Sequence, residues 1–111
     1  MIRNMSKNKV LISKIKFARG VHRQILGLMF KSKIDHGLVF NFHIENNHCL
    51  HTYFMKVPID ILFLDSNRRV LKTMRNVKPW RFDIRGKGNY VIELPAGRLS
   101  DTKIGDKISF K

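Results

Sequence analysis

The stretch from Thr52 to Asp65, TYFMKVPIDILFLD, constrains the fold of this chain more than any other. Its second half, Ile59 to Asp65, is a short apolar run that suits a strand buried on both faces, and it ends on a carboxylate. Pro58 interrupts the stretch, and because proline cannot donate to a central ladder it marks a bulge, an edge or a corner. We therefore predict two strand pieces, Tyr53 to Lys56 and Ile59 to Asp65.

Turn signals divide the rest of the chain into further short extended segments. Asp65-Ser66-Asn67-Arg68 predicts a hairpin turn that returns into Arg69 to Arg75, and Gly86-Lys87-Gly88-Asn89 predicts a second turn. The polar residues 43–51, HIENNHCLH, predict a loop or hairpin tip. Strands are predicted for four other segments: Lys9 to Phe17, Gly37 to Phe42, Tyr90 to Leu94 and Lys107 to Phe110.

Helical spacing is limited to two places. The segment from Ala18 to Leu28 has the apolar spacing of an amphipathic helix, and Ser100 is placed to cap one helical turn through Lys103. Many short strands separated by turns favour a small barrel or compact sandwich. We predict a mainly β protein, a small antiparallel barrel-like or sandwich domain with one or two short helices. Its 111 residues suit a single domain, 1–111.

Positive charge dominates the composition, with 22 Lys and Arg against 8 Asp and Glu and a formal net charge of +14. The cations form two blocks. Residues 1–34 hold nine basic residues and no acid, and residues 68–87 hold eight basic residues against Asp83 alone. Such blocks are typical of a surface that binds nucleic acid or another polyanion, although a solubilising role for the charge remains an alternative.

The remaining composition bears on the compartment. The longest strictly apolar runs span a few residues, whereas a membrane-spanning helix needs about 20. No secretory signal pattern opens the chain, and a lone Cys49 cannot form an internal disulfide, which fits a reducing environment. We therefore expect a cytoplasmic protein without a membrane span.

Five blocks of sequence stand out in order: Gly27 to Phe30, Gly37 to Phe42, Phe54 to Lys56 with Pro58 to Asp65, Tyr90 to Gly97, and Gly105-Asp106. Together they resemble the family called domain of unknown function 192. They cover about residues 18–110, with residues 1–17 as an N-terminal strand or extension. The resemblance implies a small β-rich, mostly antiparallel and barrel-like fold with one or two short helices, found in archaea and bacteria. It implies no established activity.

Three positions depart from the family pattern. The family commonly has Gly-Met where this chain has Gly37-Leu38, and a Trp where it has Phe54. Its Lys-Asn-Thr connection is shortened to Lys56-Val57. These changes preserve the fold and affect only a site built around that Trp.

Two carboxylates in apolar strand segments are candidates for a ligand pocket. Asp60 must lie at a sheet margin or accept hydrogen bonds from backbone amides, because an unpaired buried charge is costly. It is therefore either a structural brace or a ligand-facing acid, for which Lys56, Arg19 and Arg23 are candidate partners. Glu93 poses the same choice. A small hydrolase-like enzyme that uses Asp60 is a further alternative, although the sequence does not bring Asp60 and Glu93 together.

Metal, cofactor and covalent chemistry find little support in the sequence. His43, His48, Cys49 and His51 carry ligand atoms for zinc, but they lack the two spaced pairs of a structural zinc site. Gly86-Lys87-Gly88 lacks the helix of a phosphate loop. We predict no catalytic residue, no metal and no cofactor.

We interpret the chain as a small non-enzymatic binding module for an unidentified ligand. The alternative is a nucleic-acid-associated protein in which basic residues contact phosphates and an aromatic ring stacks on bases. The candidates for that role are Arg68, Arg69, Lys72, Arg75, Lys78, Trp80 and Arg81.

Overall fold

The structure is a computed structural model that describes residues 1–18, 35–50, 57–79 and 84–111. These residues contain β-strands, turns and bends but no helix, and among them nothing forms a helix that could cross a membrane. The strands are β1 (Ile2–Asn4), β2 (Lys9–Ile12), β3 (Ile15–Ala18), β4 (Gly37–Leu50), β5 (Ile59–Leu64), β6 (Val70–Val77), β7 (Ile84–Pro95) and β8 (Ile108–Phe110).

The strands form two sheets. The smaller has the order β2-β1-β8 and is antiparallel, and the larger has the order β3-β4-β7-β5-β6. All pairs in the larger sheet are antiparallel except β3 with β4, which are parallel. Each sheet keeps two edge strands within the described residues, so these strands do not close a barrel. The prediction of a mainly β, mostly antiparallel protein is confirmed, and of its two forms the sandwich is the one observed.

The two faces of the larger sheet are both apolar. We call the face that packs on the smaller sheet the inner face; it shares a core with Ile2, Ile108 and Phe110. The opposite, outer face carries a second buried cluster that includes Phe40, Ile61 and Phe63. Burial of each such side chain contributes about 1.5–3 kcal/mol. Every residue of β5 is buried, as predicted. Asp65, the last residue of the predicted strand, is half-buried and follows β5. The residues buried in this shared core are Ile2, Leu11, Ile12, Val39, Leu62, Leu64, Val70, Ile92, Leu94, Leu99, Ile108 and Phe110.

The hairpin between β5 and β6 forms where the sequence predicts it. The Asp65 carbonyl accepts a hydrogen bond from the Arg68 amide at 3.0 Å. The Asp65 side chain accepts two more, from the amides of Asn67 and Arg69, both at 2.9 Å. Arg68 has a positive φ of 62°, a conformation that usually favours glycine. The hydrogen bonds to the Asp65 side chain stabilise the turn although it contains no glycine.

The loop predicted for residues 43–51 and the turn predicted for residues 86–89 are both wrong within the described residues. Residues 43–50 continue β4, residues 86–89 lie inside β7, and the two segments pair beyond an irregularity in the register. The glycines serve close approach instead of a turn. A Cβ on Gly86 would collide with the Phe63 ring, and a Cβ on Gly88 would lie 2.6 Å from the Leu64 carbonyl oxygen.

Two smaller predictions also fail. The single strand predicted for Lys9 to Phe17 is divided between β2 and β3, which belong to different sheets. Ser100 does not begin a helical turn: its φ is +55°, and residues 96–101 form successive turns. Its carbonyl accepts a hydrogen bond from Arg75, so the backbone there is fixed by a tertiary contact. The predicted strand Tyr53 to Lys56 and residues 19–28 of the predicted helix lie outside the described residues.

Candidate functional site

Asp60 occupies a fully satisfied backbone site. It is 1% exposed, and its carboxylate accepts hydrogen bonds from the amides of Asn76 (2.9 Å), Gly97 (2.9 Å) and Leu99 (3.1 Å). Asn76 and Gly97 both have positive φ, so the carboxylate stabilises two unusual backbone positions on separate segments. The geometry is that of a brace between β6 and the turns that follow β7.

Glu93 lies on the other face of the sheet. In register, Asp60 pairs with Leu94 while Glu93 pairs with Ile61 and Leu38. Because side chains alternate along a strand, Asp60 points to the inner face and Glu93 to the outer face. The two carboxylates are therefore not brought together. The predicted partners Lys56, Arg19 and Arg23 lie outside the described residues.

The environment of Glu93 opposes its ionisation. Glu93 is 8% exposed, and within the described part of the chain no hydrogen bond reaches its side chain. Burial raises the pKa of Glu93 from 4.5 to about 8. At neutral pH this carboxyl group is consequently mostly protonated, whereas an ordinary glutamate is ionised.

Six basic side chains converge around residues 100–107, and we call this group the basic surface. They come from three parts of the chain that are distant in sequence: the β1–β2 hairpin, the β5–β6 hairpin and the segment before β8. The segment is fixed to β6 by hydrogen bonds between Gly105 and Val70 (2.8 Å) and between Val70 and Asp106 (2.9 Å). The basic surface consists of Lys7, Lys9, Arg69, Arg75, Lys103 and Lys107.

Two members of the basic surface form ion pairs. Lys9 lies 3.1 Å from Asp101, and Lys7 lies 3.4 Å from Asp106. The hydrogen bond from Lys9 lowers the pKa of Asp101. The pKa of Asp106 is lowered chiefly by a hydrogen bond from Asn4. Both acids are therefore ionised at neutral pH.

Other members donate to uncharged carbonyl oxygens. Arg75 donates to the carbonyls of Ser100 and Thr102, both at 2.7 Å, and Arg69 donates to that of Gly105 at 3.0 Å. Lys107 donates to the carbonyl of Asn67. These bonds position the side chains without neutralising them. Six cations against two carboxylates leave a strongly positive surface.

A buried polar network holds the segment beneath the basic surface. Asn4 is 0% exposed and donates to Thr102 Oγ1 at 3.0 Å and to Asp106 Oδ2 at 2.9 Å. The same carboxylate oxygen accepts from the Lys103 amide at 3.0 Å. Because the network is satisfied, the cations above it are presented on a fixed backbone.

The predicted nucleic-acid residues do not form one patch. Arg69 and Arg75 belong to the basic surface, and Arg68 lies next to it, with its guanidinium 4.0 Å from the centre of the Phe110 ring. Lys72 instead lies on the outer face, paired with Phe63, and donates to the Arg85 carbonyl at 2.5 Å. Lys78 is exposed just after β6. Trp80 and Arg81 lie outside the described residues.

The sequence alone does not predict four members of the basic surface, namely Lys7, Lys9, Lys103 and Lys107. The block of nine cations in residues 1–34 was the available signal, but nothing local connects it to the C-terminal segment. The connection is the antiparallel pairing of β1 with β8, a contact between opposite ends of the chain.

The fold and these sites define a class: a small mainly β protein with a larger mixed sheet, a smaller antiparallel sheet and a basic surface at one end. The chain belongs to the family DUF192, described as "Uncharacterized ACR", whose model matches residues 2–110. The resemblance seen in the sequence is thereby confirmed, and the match also includes the N-terminal strands.

Archaeal relatives are similar over nearly the whole chain. A UPF0127 protein of Pyrococcus horikoshii is 40% identical over 115 residues, which cover 99% of this chain and 98% of that protein. A UPF0127 protein of Thermococcus sibiricus is 34% identical over 116 residues, covering 100% of this chain and 75% of the relative.

Two crystal structures share the fold. A protein from Sinorhizobium meliloti, described as a "putative transcription regulator", has a TM-score of 0.79 at 24% identity, over 86% of this chain and 79% of that one. A protein of unknown function from Novosphingobium aromaticivorans has a TM-score of 0.75 at 24% identity, over 86% and 74%. At this identity the likeness establishes the fold alone.

Proposed function

We propose that this protein is a small non-catalytic binding module whose partner is a nucleic acid. One observation carries the proposal: on the basic surface, Arg69, Arg75 and Lys107 donate to backbone carbonyls instead of carboxylates. Their charge is fixed in position and remains available to phosphates. A net charge of +14 adds long-range attraction for any polyanion.

The arrangement of the carboxylates supports a non-catalytic role. All hydrogen bonds found for Asp60 come from backbone amides, which leaves it little capacity to act on a substrate. Acid–base catalysis by a carboxylate pair needs both groups on one side of the sheet, and Asp60 and Glu93 point to opposite sides. These contacts favour a structural role for Asp60 over the hydrolase alternative.

The test compares two double variants that each remove two positive charges. Arg75→Gln with Lys103→Gln alters the basic surface, and Lys72→Gln with Arg85→Gln removes two exposed cations outside the basic surface as a matched control. Binding to a fluorescently labelled 20-nucleotide DNA or RNA is measured by anisotropy over a range of salt concentrations. Urea unfolding of each variant establishes that it is folded.

We expect affinity to fall steeply with salt, and the slope of log K against log salt to decrease by about two units for the basic-surface variant alone. Equal losses in both variants would mean that net charge, not this surface, drives binding. No binding of wild-type protein at low salt would reject the proposal outright.

A further inference from the structure

Three aromatic rings and Arg68 form a compact cluster beside the basic surface. The rings of Phe17 and Phe110 have centroids 6.2 Å apart, and those of Tyr90 and Phe110 are 5.2 Å apart in an edge-to-face arrangement. The Arg68 guanidinium lies 4.0 Å from the centre of Phe110 and 5.6 Å from that of Tyr90. The four residues come from β3, the β5–β6 turn, β7 and β8, so only the fold assembles them.

The members of this cluster differ in exposure. Phe110 is 5% exposed and belongs to the inner core, whereas Phe17 is 43% exposed. A single exposed apolar side chain needs no explanation by itself. Phe17, however, packs against a ring that is itself fixed by Tyr90 and Arg68. Part of its aromatic surface is therefore presented to solvent on a rigid support.

Arg68 is the cation that contacts this aromatic cluster in the fold, and two further cations are neighbours of its members in sequence. Lys16 precedes Phe17 on β3, and Lys111 follows Phe110; both are exposed. Arg68 connects the cluster to the basic surface, because its carbonyl accepts from the Ile108 amide at 2.9 Å and Arg69 follows it directly. The aromatic cluster and the basic surface thus lie side by side around one turn.

We propose that Phe17, supported by Phe110 and Arg68, is a base-stacking site, so that the nucleic acid bound is single-stranded. This inference rests on the proposed function. Unpaired bases can stack on an aromatic ring, whereas the bases of a duplex are stacked on each other and present only their edges. Arg68 and the adjacent basic surface would hold the phosphates of the same nucleotides.

The test uses three variants at position 17 and one elsewhere. Phe17→Leu keeps an apolar side chain but removes the aromatic face, Phe17→Ala removes most of the side chain, and Phe17→Trp keeps an aromatic ring. Val10→Ala is the control, since Val10 is 47% exposed on β2. Each protein is titrated with a 20-nucleotide oligo-dT, with a DNA duplex of the same length, and with vesicles containing phosphatidylglycerol.

We expect Phe17→Leu and Phe17→Ala to weaken oligo-dT binding by about tenfold, with the duplex affinity and the salt slope unchanged. Phe17→Trp should bind at least as tightly as wild type, and Val10→Ala should match it. Unchanged oligo-dT binding by Phe17→Leu would overturn the stacking site while leaving the proposed function intact. Losses confined to vesicles would assign the ring to a membrane surface and overturn it too. No binding to either nucleic acid would reject the proposed function itself.

Discussion

Raising the pH from 5 to 8 should destabilise this protein through Glu93. Glu93 is 8% exposed on the central strand of the larger sheet, and within the described residues its carboxyl group has no hydrogen-bond partner. Burial raises its pKa from 4.5 to about 8. The folded protein therefore retains a proton that the unfolded chain releases.

The sign and size of the effect follow from the two pKa values. Below pH 4.5 the group is protonated in both states, and its contribution to stability is fully present. Between 4.5 and 8 the unfolded chain loses the proton first, so stability falls as pH rises. Over pH 5 to 8 the loss in the free energy of unfolding from Glu93 alone is about 3 kcal/mol. Above pH 8 the difference becomes constant.

The assay is urea denaturation of wild type and Glu93→Gln at several pH values from 5 to 8. Glutamine has nearly the same shape but does not ionise, so stability of the variant relative to wild type should increase with pH by about 3 kcal/mol. Histidine titration is common to both proteins and cancels in the comparison. Asp101→Asn is the control, because the lowered pKa of Asp101 keeps it ionised over this range. Parallel pH profiles for wild type and Glu93→Gln would refute the reasoning.

Three substitutions test the structural basis of the fold and the site. Asp60→Asn should lower the free energy of unfolding by about 2–4 kcal/mol, since an amide cannot accept all three backbone hydrogen bonds; a loss below 1 kcal/mol by urea denaturation would contradict the brace. Gly86→Ala should cost about 1–3 kcal/mol because its Cβ meets the Phe63 ring, and an unchanged melting temperature would be inconsistent with this packing. Asn4→Ala should lower stability by about 1–3 kcal/mol and increase amide hydrogen exchange at Lys103, whereas unchanged exchange would argue against the network as the support of the basic surface.

The parts of the fold that the sequence predicts best depend on local chemistry. Asp65 provides a side-chain acceptor for the amides of its own turn, so the hairpin is encoded within five residues. The apolar run of β5 likewise predicts a buried strand from its own residues. Both features can be predicted without information about the rest of the chain.

The errors arise where a distant contact decides between local alternatives. Gly86 and Gly88 favour a turn locally, but in the fold they admit Phe63 and the backbone of Leu64. Ser100 has the chemistry of a helix cap, yet Arg75 binds its carbonyl from another strand. Neither contact can be inferred from neighbouring residues.

In the candidate site, too, local chemistry is predictable from the sequence and long-range contacts are not. The sequence predicts a structural brace as one of two roles for Asp60. It does not identify the amide donors, because they lie 16 to 39 residues away. The basic surface depends on the pairing of β1 with β8, which joins the first and last strands. Total charge was therefore predictable, and its placement was not.

The most direct test of the central claim is lysine protection in the complex. The protein is acetylated with and without a 20-nucleotide oligo-dT at low salt, and modification of each lysine is followed by mass spectrometry. We expect Lys9, Lys103 and Lys107 on the basic surface to be protected by the oligonucleotide, and Lys72 on the outer face to react at the same rate in both samples. Uniform protection of all four lysines, or protection of Lys72 alone, would contradict a nucleic-acid site at the basic surface.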